Sequence, residues 1–241
     1  DTIPARLLSH ARDIPTLPAW FTRTETGWQA RTWADVATEI RRAARALMAL
    51  GLEPGQTVCI LGFNRPEWVA FDVAAMMAGG VPAGIYTTGS QGEVAYVIRH
   101  AESRIVLLEN ATQFAKVQAE RGTLPKLSHI VMMEGAEPIE GTLSWQQFLQ
   151  AGDAVADSLL DARISALQDN DLATLIYTSG TTGPPKGVML SHRNLAWTAK
   201  TAQQLVGLLP SDSVLSYLPL SHIAEQMFTI HAPMTVGSAV Y

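Results

Sequence analysis

Apolar and polar positions along this chain alternate between the helical and the strand period. From Trp33 to Leu50, residues Ala37, Ile40, Ala44, Leu47 and Met48 fall on one helical face. Thr32 is placed to cap that helix, and Gly51 to stop it. Thr57 to Leu61 reads as a buried strand, and the turn Asn64-Arg65-Pro66 opens a helix running through Ala78, with Pro66 at its first position. Further strands are expected at Val81 to Tyr86, Arg104 to Glu109 and His129 to Met133, separated by helices at Gly92 to His100 and Ala111 to Arg121. A helix-rich stretch, Trp145 to Leu167, precedes the polar hinge Gln168-Asp169-Asn170-Asp171. Beyond it the pattern gives the apolar run Leu172 to Ile176, a strand at Gly187 to Leu190, a helix at Arg193 to Val206 and a strand at Ser213 to Leu218. A helix at Ile223 to His231 and the start of a strand at Ser238 to Tyr241 complete it. Strands alternating with helices define an α/β protein of right-handed βαβ units, with a mostly parallel sheet flanked by helices. A subdomain break near Gln168 is left open.

Composition narrows the class of function. At 241 residues with 47% hydrophobic content, the chain is long enough for a substantial core. The formal charge is −5, and the 17 lysines and arginines are scattered, which argues against a nucleic-acid-binding surface. The one cysteine, Cys59, lies in an apolar strand, so no disulfide framework exists and a buried structural thiol is expected. The longest apolar stretch, Val69 to Tyr86, is broken by Asp72, Gly79, Gly80, Pro82 and Gly84, so no transmembrane segment is expected. The start, Asp1-Thr2-Ile3-Pro4, has neither an initiating methionine nor a signal-peptide pattern, and reads as a cut or processed boundary. No metal-ligand spacing appears around His10, His100, His129, His192 or His231, each of which is expected at the surface or satisfied by a polar partner. A Gly-x-Ser-x-Gly nucleophile motif is absent.

One segment has no hydrophobic face at all. Thr178-Ser179-Gly180-Thr181-Thr182-Gly183 is followed by Pro184-Pro185-Lys186-Gly187. By composition it is either a plain connection or a cradle in which hydroxyls, glycine-exposed N–H groups and one ammonium meet phosphate oxygens. A Walker loop would need Ser or Thr directly after the lysine and a helix beginning there. Here Lys186 is followed by Gly187 and a strand, so the loop joins two strand-like segments.

Thr178 to Gly187 resembles the signature phosphate loop of the adenylate-forming superfamily, which includes acyl-CoA synthetases, luciferases and peptide-synthetase adenylation domains. Ser216-Tyr217-Leu218-Pro219-Leu220-Ser221-His222-Ile223-Ala224-Glu225-Gln226 is similar to the next motif in its long-chain fatty acyl-CoA synthetase form. The segments Val58 to Trp68 and Gly80 to Tyr86 are similar to the superfamily's opening strands, so the likeness covers nearly the whole chain.

The resemblance implies two-step activation of a carboxylate. A fatty acid attacks the α-phosphorus of ATP to give an acyl-adenylate, and coenzyme A then displaces AMP. It implies phosphate contacts from Thr178, Ser179, Gly180, Thr181, Thr182, Gly183 and Lys186, with Lys186 and His222 as the catalytic pair and Mg2+ arriving with ATP. His222 on its residues alone is either a helix cap or a donor to developing negative charge. Ser221 is a second candidate cap, and Glu225 reads as a solvated helix residue. The superfamily's adenine, ribose and magnesium contacts and its small C-terminal domain have no counterpart up to Tyr241. The chain is therefore expected to be the N-terminal portion of a larger adenylation domain, inactive alone. A fatty acyl-AMP ligase and a non-catalytic nucleotide-binding module are the alternatives. A cytoplasmic setting is expected, with peripheral membrane association open, since no basic amphipathic anchor stands out.

Overall fold

The computed structural model describes residues 1–178 and 183–241. Its elements follow in chain order, beginning with α1 (Ile3–Asp13), β1 (Pro18–Thr24), β2 (Gly27–Thr32), α2 (Trp33–Ala49), β3 (Thr57–Leu61), α3 (Pro66–Met77) and β4 (Val81–Ile85). There follow α4 (Gln91–His100), β5 (Ile105–Leu108), α5 (Ala111–Ala119), β6 (His129–Met132), α6 (Trp145–Ala151) and α7 (Asp157–Ala166). The last third contains β7 (Leu172–Thr178), β8 (Lys186–Ser191), α8 (His192–Val206), β9 (Ser213–Val214), α9 (Ile223–Gln226), α10 (Ala232–Val236) and β10 (Ala239–Val240).

Helix starts follow local chemistry. Thr32, Ser90, Ser144 and Ser191 each accept a hydrogen bond from the backbone N–H three residues on, and the side chain of that residue accepts one in turn from the cap's backbone N–H. Gly207 and Gly237 end α8 and α10 in the left-handed conformation that glycine adopts without steric cost.

Six strands form one sheet in the order β6-β5-β3-β4-β7-β8, parallel except for β8, which runs antiparallel to β7. Alternation along these strands divides the interior in two. Val58, Ile60, Ile105, Leu107 and Val131 face a core shared with α2 and α3, whereas Cys59, Leu61, Val106, Leu108, Ile130 and Met132 face a core shared with α4 and α5. Both faces are covered, as parallel strands require, and the α/β expectation holds. Cys59 is fully buried, which pushes its thiol up to about 12 and leaves it a structural residue. No described helix is long and apolar enough to cross a membrane.

A second, four-stranded sheet, β2-β1-β10-β9, was not foreseen, nor were α1 and the β1–β2 hairpin that begin the chain. Pro4 in the first turn of α1, with buried Ile3 and Leu7 four residues apart, and the Trp20-Phe21-Thr22 run of β1 were the available signals. The helix-rich stretch expected from Trp145 to Leu167 consists of two helices, α6 and α7. At Gly152 an added Cβ would lie 2.5 Å from the Arg42 carbonyl oxygen and 2.8 Å from the Ala46 nitrogen, so only glycine lets the backbone approach α2 so closely. The chain then passes through a 3-10 turn to extended Val155 and Ala156, where the helical path breaks. The expected helix at Ile223 to His231 is only four residues of α-helix followed by a π-turn at Met227–His231 leading into α10. Pro233, which has no N–H to return to Thr229, sits where the ladder changes. The expected strand at Ser213 to Leu218 is a ladder only at Ser213–Val214. Past it, the Ser216 N–H still donates to the Tyr241 carbonyl at 2.8 Å, and from Tyr217 on side chains hold the backbone instead.

Candidate functional site

The C-terminal ends of β4 and β7 open into a cavity of about 470 Å³. Gly84 and Tyr86 come from β4 and the turn after it, Thr178 from the last position of β7, Pro185 from the return of the loop, and His222 from the start of α9. Open parallel sheets bind ligands at this end of their strands. A second hollow of about 280 Å³ lies between the four-stranded sheet and Ser216–Leu220, lined by Trp20, Phe21, Trp28 and Tyr241. It contains none of the expected site residues, whereas the first contains residues from both ends of the loop.

The loop is the tip of an antiparallel hairpin. β7 and β8 pair through Ile176 with Val188, Tyr177 with Gly187 and Thr178 with Lys186. The register sets Lys186 directly across from Thr178, with both side chains exposed. Gly183 has φ +97°, a conformation that favours glycine. Ser179, Gly180, Thr181 and Thr182 lie outside the described residues. Buried Tyr177 donates to, or accepts from, His100 Nδ1 at 2.8 Å, and burial pushes its phenol well above the usual tyrosine range. Lys116 Nζ donates to the carbonyl oxygens of Thr87 (2.6 Å) and Gly89 (2.9 Å), tying down the turn between β4 and α4 that borders the cavity.

His222 is both exposed and anchored. Its Nδ1 accepts from the Ala224 backbone N–H at 3.1 Å, so His222, and not Ser221, caps α9. A neutral imidazole that accepts at Nδ1 carries its proton on Nε2, which leaves Nε2–H as a donor for the cavity. Cap and donor, alternatives in the sequence, are thus compatible through opposite edges of one ring.

The segment leading to His222 is bound by residues that sequence reasoning passed over. Glu225, expected to be solvated, is 1% exposed. Its Oε1 accepts from Ser216 Oγ (2.7 Å), the Tyr217 N–H (3.0 Å) and Thr229 Oγ1 (2.6 Å), and its Oε2 from the Leu218 N–H (3.1 Å). Asn64, in the turn after β3, donates to the Leu218 carbonyl (2.7 Å) and accepts from the Leu220 N–H (3.0 Å). The spacing of Glu225 from Ser216 and Tyr217 was a signal only to a reader who knew that those residues leave the ladder. The other histidines divide as expected with one exception. His231 is fully buried, and neither ring nitrogen has a hydrogen-bond partner among the described residues.

The segment is also held by close packing. A Cβ on Gly84 would sit 2.9 Å from Ser221 Cα and 3.0 Å from the Trp68 ring, both fixed within packed elements. Gly84→Ala is expected to lower the unfolding free energy by about 1–3 kcal/mol through overpacking. A urea midpoint equal to that of the unsubstituted protein would show that Ser221 yields freely.

No group of three or more metal-ligating side chains occurs among the described residues. Among the described residues, Gly84, Gly89, Thr178 and His222 border the cavity, and Lys186 pairs with Thr178 at its edge. A model of the family described as "AMP-binding enzyme" matches residues 9–241, and the chain belongs to that family. Among its curated relatives, the long-chain-fatty-acid–CoA ligase ACSBG2 of Xenopus laevis is 43% identical over 220 residues, covering 89% of this chain and 30% of the relative. The human ACSBG2 is 39% identical, covering all of this chain and 36% of the relative. The chain thus spans about a third of the length of these relatives. Among solved structures, the anthranilate CoA ligase AuaEII in complex with anthranoyl-AMP superposes with a TM-score of 0.82 at 26% identity, covering all of this chain and 44% of that one. The N-terminal domain of FACL13 from Mycobacterium tuberculosis gives 0.83 at 23% identity, a likeness of fold, over all of this chain and 57% of that one.

Proposed function

We propose that this chain is the N-terminal portion of the adenylation domain of a long-chain fatty acid–CoA ligase, to which it contributes the phosphate grip and one catalytic imidazole. The observation that carries the reading is the convergence of Thr178 and Pro185, from the two sides of the loop, with His222 on one cavity at the end of the parallel sheet. The names of the relatives support the choice of acid and acceptor.

In this reading the loop from Thr178 to Gly183, with Lys186, holds the β- and γ-phosphates of ATP. A fatty acid carboxylate attacks the α-phosphorus, the acyl-adenylate forms and pyrophosphate leaves. The thiol of coenzyme A then takes the acyl group and AMP departs. Positioning and electrostatics dominate the first step, because an anion approaches a polyanion and the leaving group gathers charge. Nε2–H of His222 donates to the oxygens that gain charge at the reacting carboxylate and α-phosphate. Mg2+ accompanying ATP would supply neutralisation of phosphate charge, while Thr178 and Lys186 would hold the nucleotide's phosphates from the loop side. A cytoplasmic location, with the enzyme meeting its insoluble acids at membrane surfaces, belongs to the same proposal.

The test is exchange of labelled pyrophosphate into ATP by the longer protein that contains this chain, run with a panel of acids. Long-chain fatty acids are expected to support exchange, and addition of coenzyme A to yield acyl-CoA. Exchange without acyl-CoA formation would identify an acyl-AMP ligase, and no exchange with any acid would leave only a nucleotide-binding module. Residues 1–241 alone are expected to show no turnover.

A further inference from the structure

We infer that Glu225 is a positioning residue that sets the orientation and tautomer of His222, an inference that rests on the role proposed for His222. The Glu225 carboxylate is buried, and every partner it has is a donor. Ser216 Oγ, the Tyr217 N–H, Thr229 Oγ1 and, at 3.4 Å, Asn64 Nδ2 converge on Oε1, while the Leu218 N–H meets Oε2. Only an acceptor on both oxygens fits such a set. At Tyr217 and Leu218 these bonds stand in place of a strand ladder, which the Ser216 N–H leaves with its bond to the Tyr241 carbonyl, and they hold the segment against the first turn of α9.

The same turn carries His222. The Glu225 N–H donates to the His222 carbonyl at 3.1 Å, the Gln226 N–H does so at 3.2 Å, and the His222 N–H donates to the Pro219 carbonyl at 2.9 Å. Gln226 Nε2 adds a buried bond to the Leu220 carbonyl at 3.0 Å. The strand end, the turn at Pro219 and the helix start therefore form one closed unit with Glu225 at its centre. The bond from the Ala224 N–H to His222 Nδ1, which fixes the proton on Nε2, exists only while that unit stays closed. Glu225 does not line the cavity and acts through His222.

Glu225→Gln keeps size and most acceptor capacity but sets an NH2 group against the Leu218 N–H. Thr229→Val removes one donor with little change of shape. Nitrogen NMR of ¹⁵N-histidine-labelled chain is expected to show His222 as the Nε2–H tautomer, a mixture of tautomers in Glu225→Gln, and an intermediate mixture in Thr229→Val. A His222 spectrum unchanged in both variants overturns the inference, and Thr229→Val alone decides if Glu225→Gln does not fold.

In the longer protein, Glu225→Gln is expected to lower kcat for pyrophosphate exchange roughly tenfold, with KM for ATP within about twofold. In a His222→Ala background it is expected to cost less than about twofold, because residues acting as one unit are not additive. An equal loss in both backgrounds would mean a structural role and overturns the inference. If His222→Ala alone matches the unsubstituted enzyme, the proposed role of His222 fails, and the NMR result then decides for or against Glu225.

Discussion

Asp72→Asn is expected to stabilise this protein, by an amount that grows with pH. Asp72 sits in α3, fully buried, with neither oxygen hydrogen-bonded among the described residues, and burial pushes its carboxyl up to about 8. In the unfolded chain it titrates at its ordinary value of 3.8. Below that value both states hold the proton and the group costs nothing electrostatic. Between the two values the unfolded state gives up its proton while the folded state keeps it, so stability falls with each pH unit until the folded carboxyl ionises. At about 1.4 kcal/mol per unit, the cumulative cost by pH 8 is on the order of 5 kcal/mol. The asparagine variant is isosteric and does not titrate. Its urea midpoint should match the unsubstituted protein near pH 4 and exceed it increasingly up to pH 8. Two pH profiles that run parallel would mean that Asp72 is ionised and solvated in the fold.

The acid side of the profile is set by histidines. Burial lowers His192 to about 4, partly opposed by Asp171, and lowers His231 to about 3, with Arg6 and His192 adding to the effect. Both titrate near 6.5 when unfolded, so the unfolded state binds the extra protons and stability drops as pH falls below 6.5. Between pH 4 and 6.5 the two histidines outweigh the opposing slope of Asp72, and above 6.5 Asp72 acts alone. A stability maximum near pH 6.5 follows for the unsubstituted protein, and the asparagine variant should lose the decline above it.

These buried polar groups lie where sequence reasoning was weakest. Periodicity placed α2, α3 and strands β3 to β6 to within a few residues, because a doubly covered parallel sheet writes continuous apolar runs and its helices write amphipathic ones. Asp72 served only to break an apolar stretch, yet it occupies that helix fully buried. The N-terminal hairpin had a local signal in its aromatic run, but the four-stranded sheet it joins did not, because β1 pairs with β10, some 220 residues away by the register of Trp20 with Val240, and no local pattern reports such a partner. The candidate site divides in the same way. Thr178, Lys186 and His222 were legible because loop chemistry and motif likeness are written in adjacent residues. Asn64, Lys116 and Glu225 were not, because each acts through bonds to backbone groups whose failure to join a ladder is settled only in three dimensions.

Lys186→Ala is the substitution expected to cost most in activity. The backbone of Lys186 is fixed by pairing with Thr178, while its side chain is exposed at the base of the loop. Truncation should therefore leave stability within about 0.5 kcal/mol, the usual range for a surface site. If the ammonium meets the phosphate charge that grows as pyrophosphate departs, carboxylate-dependent exchange in the longer protein should fall by roughly 10²- to 10³-fold, mainly in kcat. Lys186→Arg keeps the charge but spreads it over a planar fork on a different stem, and is expected to recover only part of the loss. A kcat within about threefold of the unsubstituted enzyme would remove Lys186 from the chemistry and leave the loop's backbone and hydroxyls to hold ATP. A loss confined to KM would instead mean that the lysine binds ATP equally well before and during reaction, a grip that contributes nothing to the barrier itself.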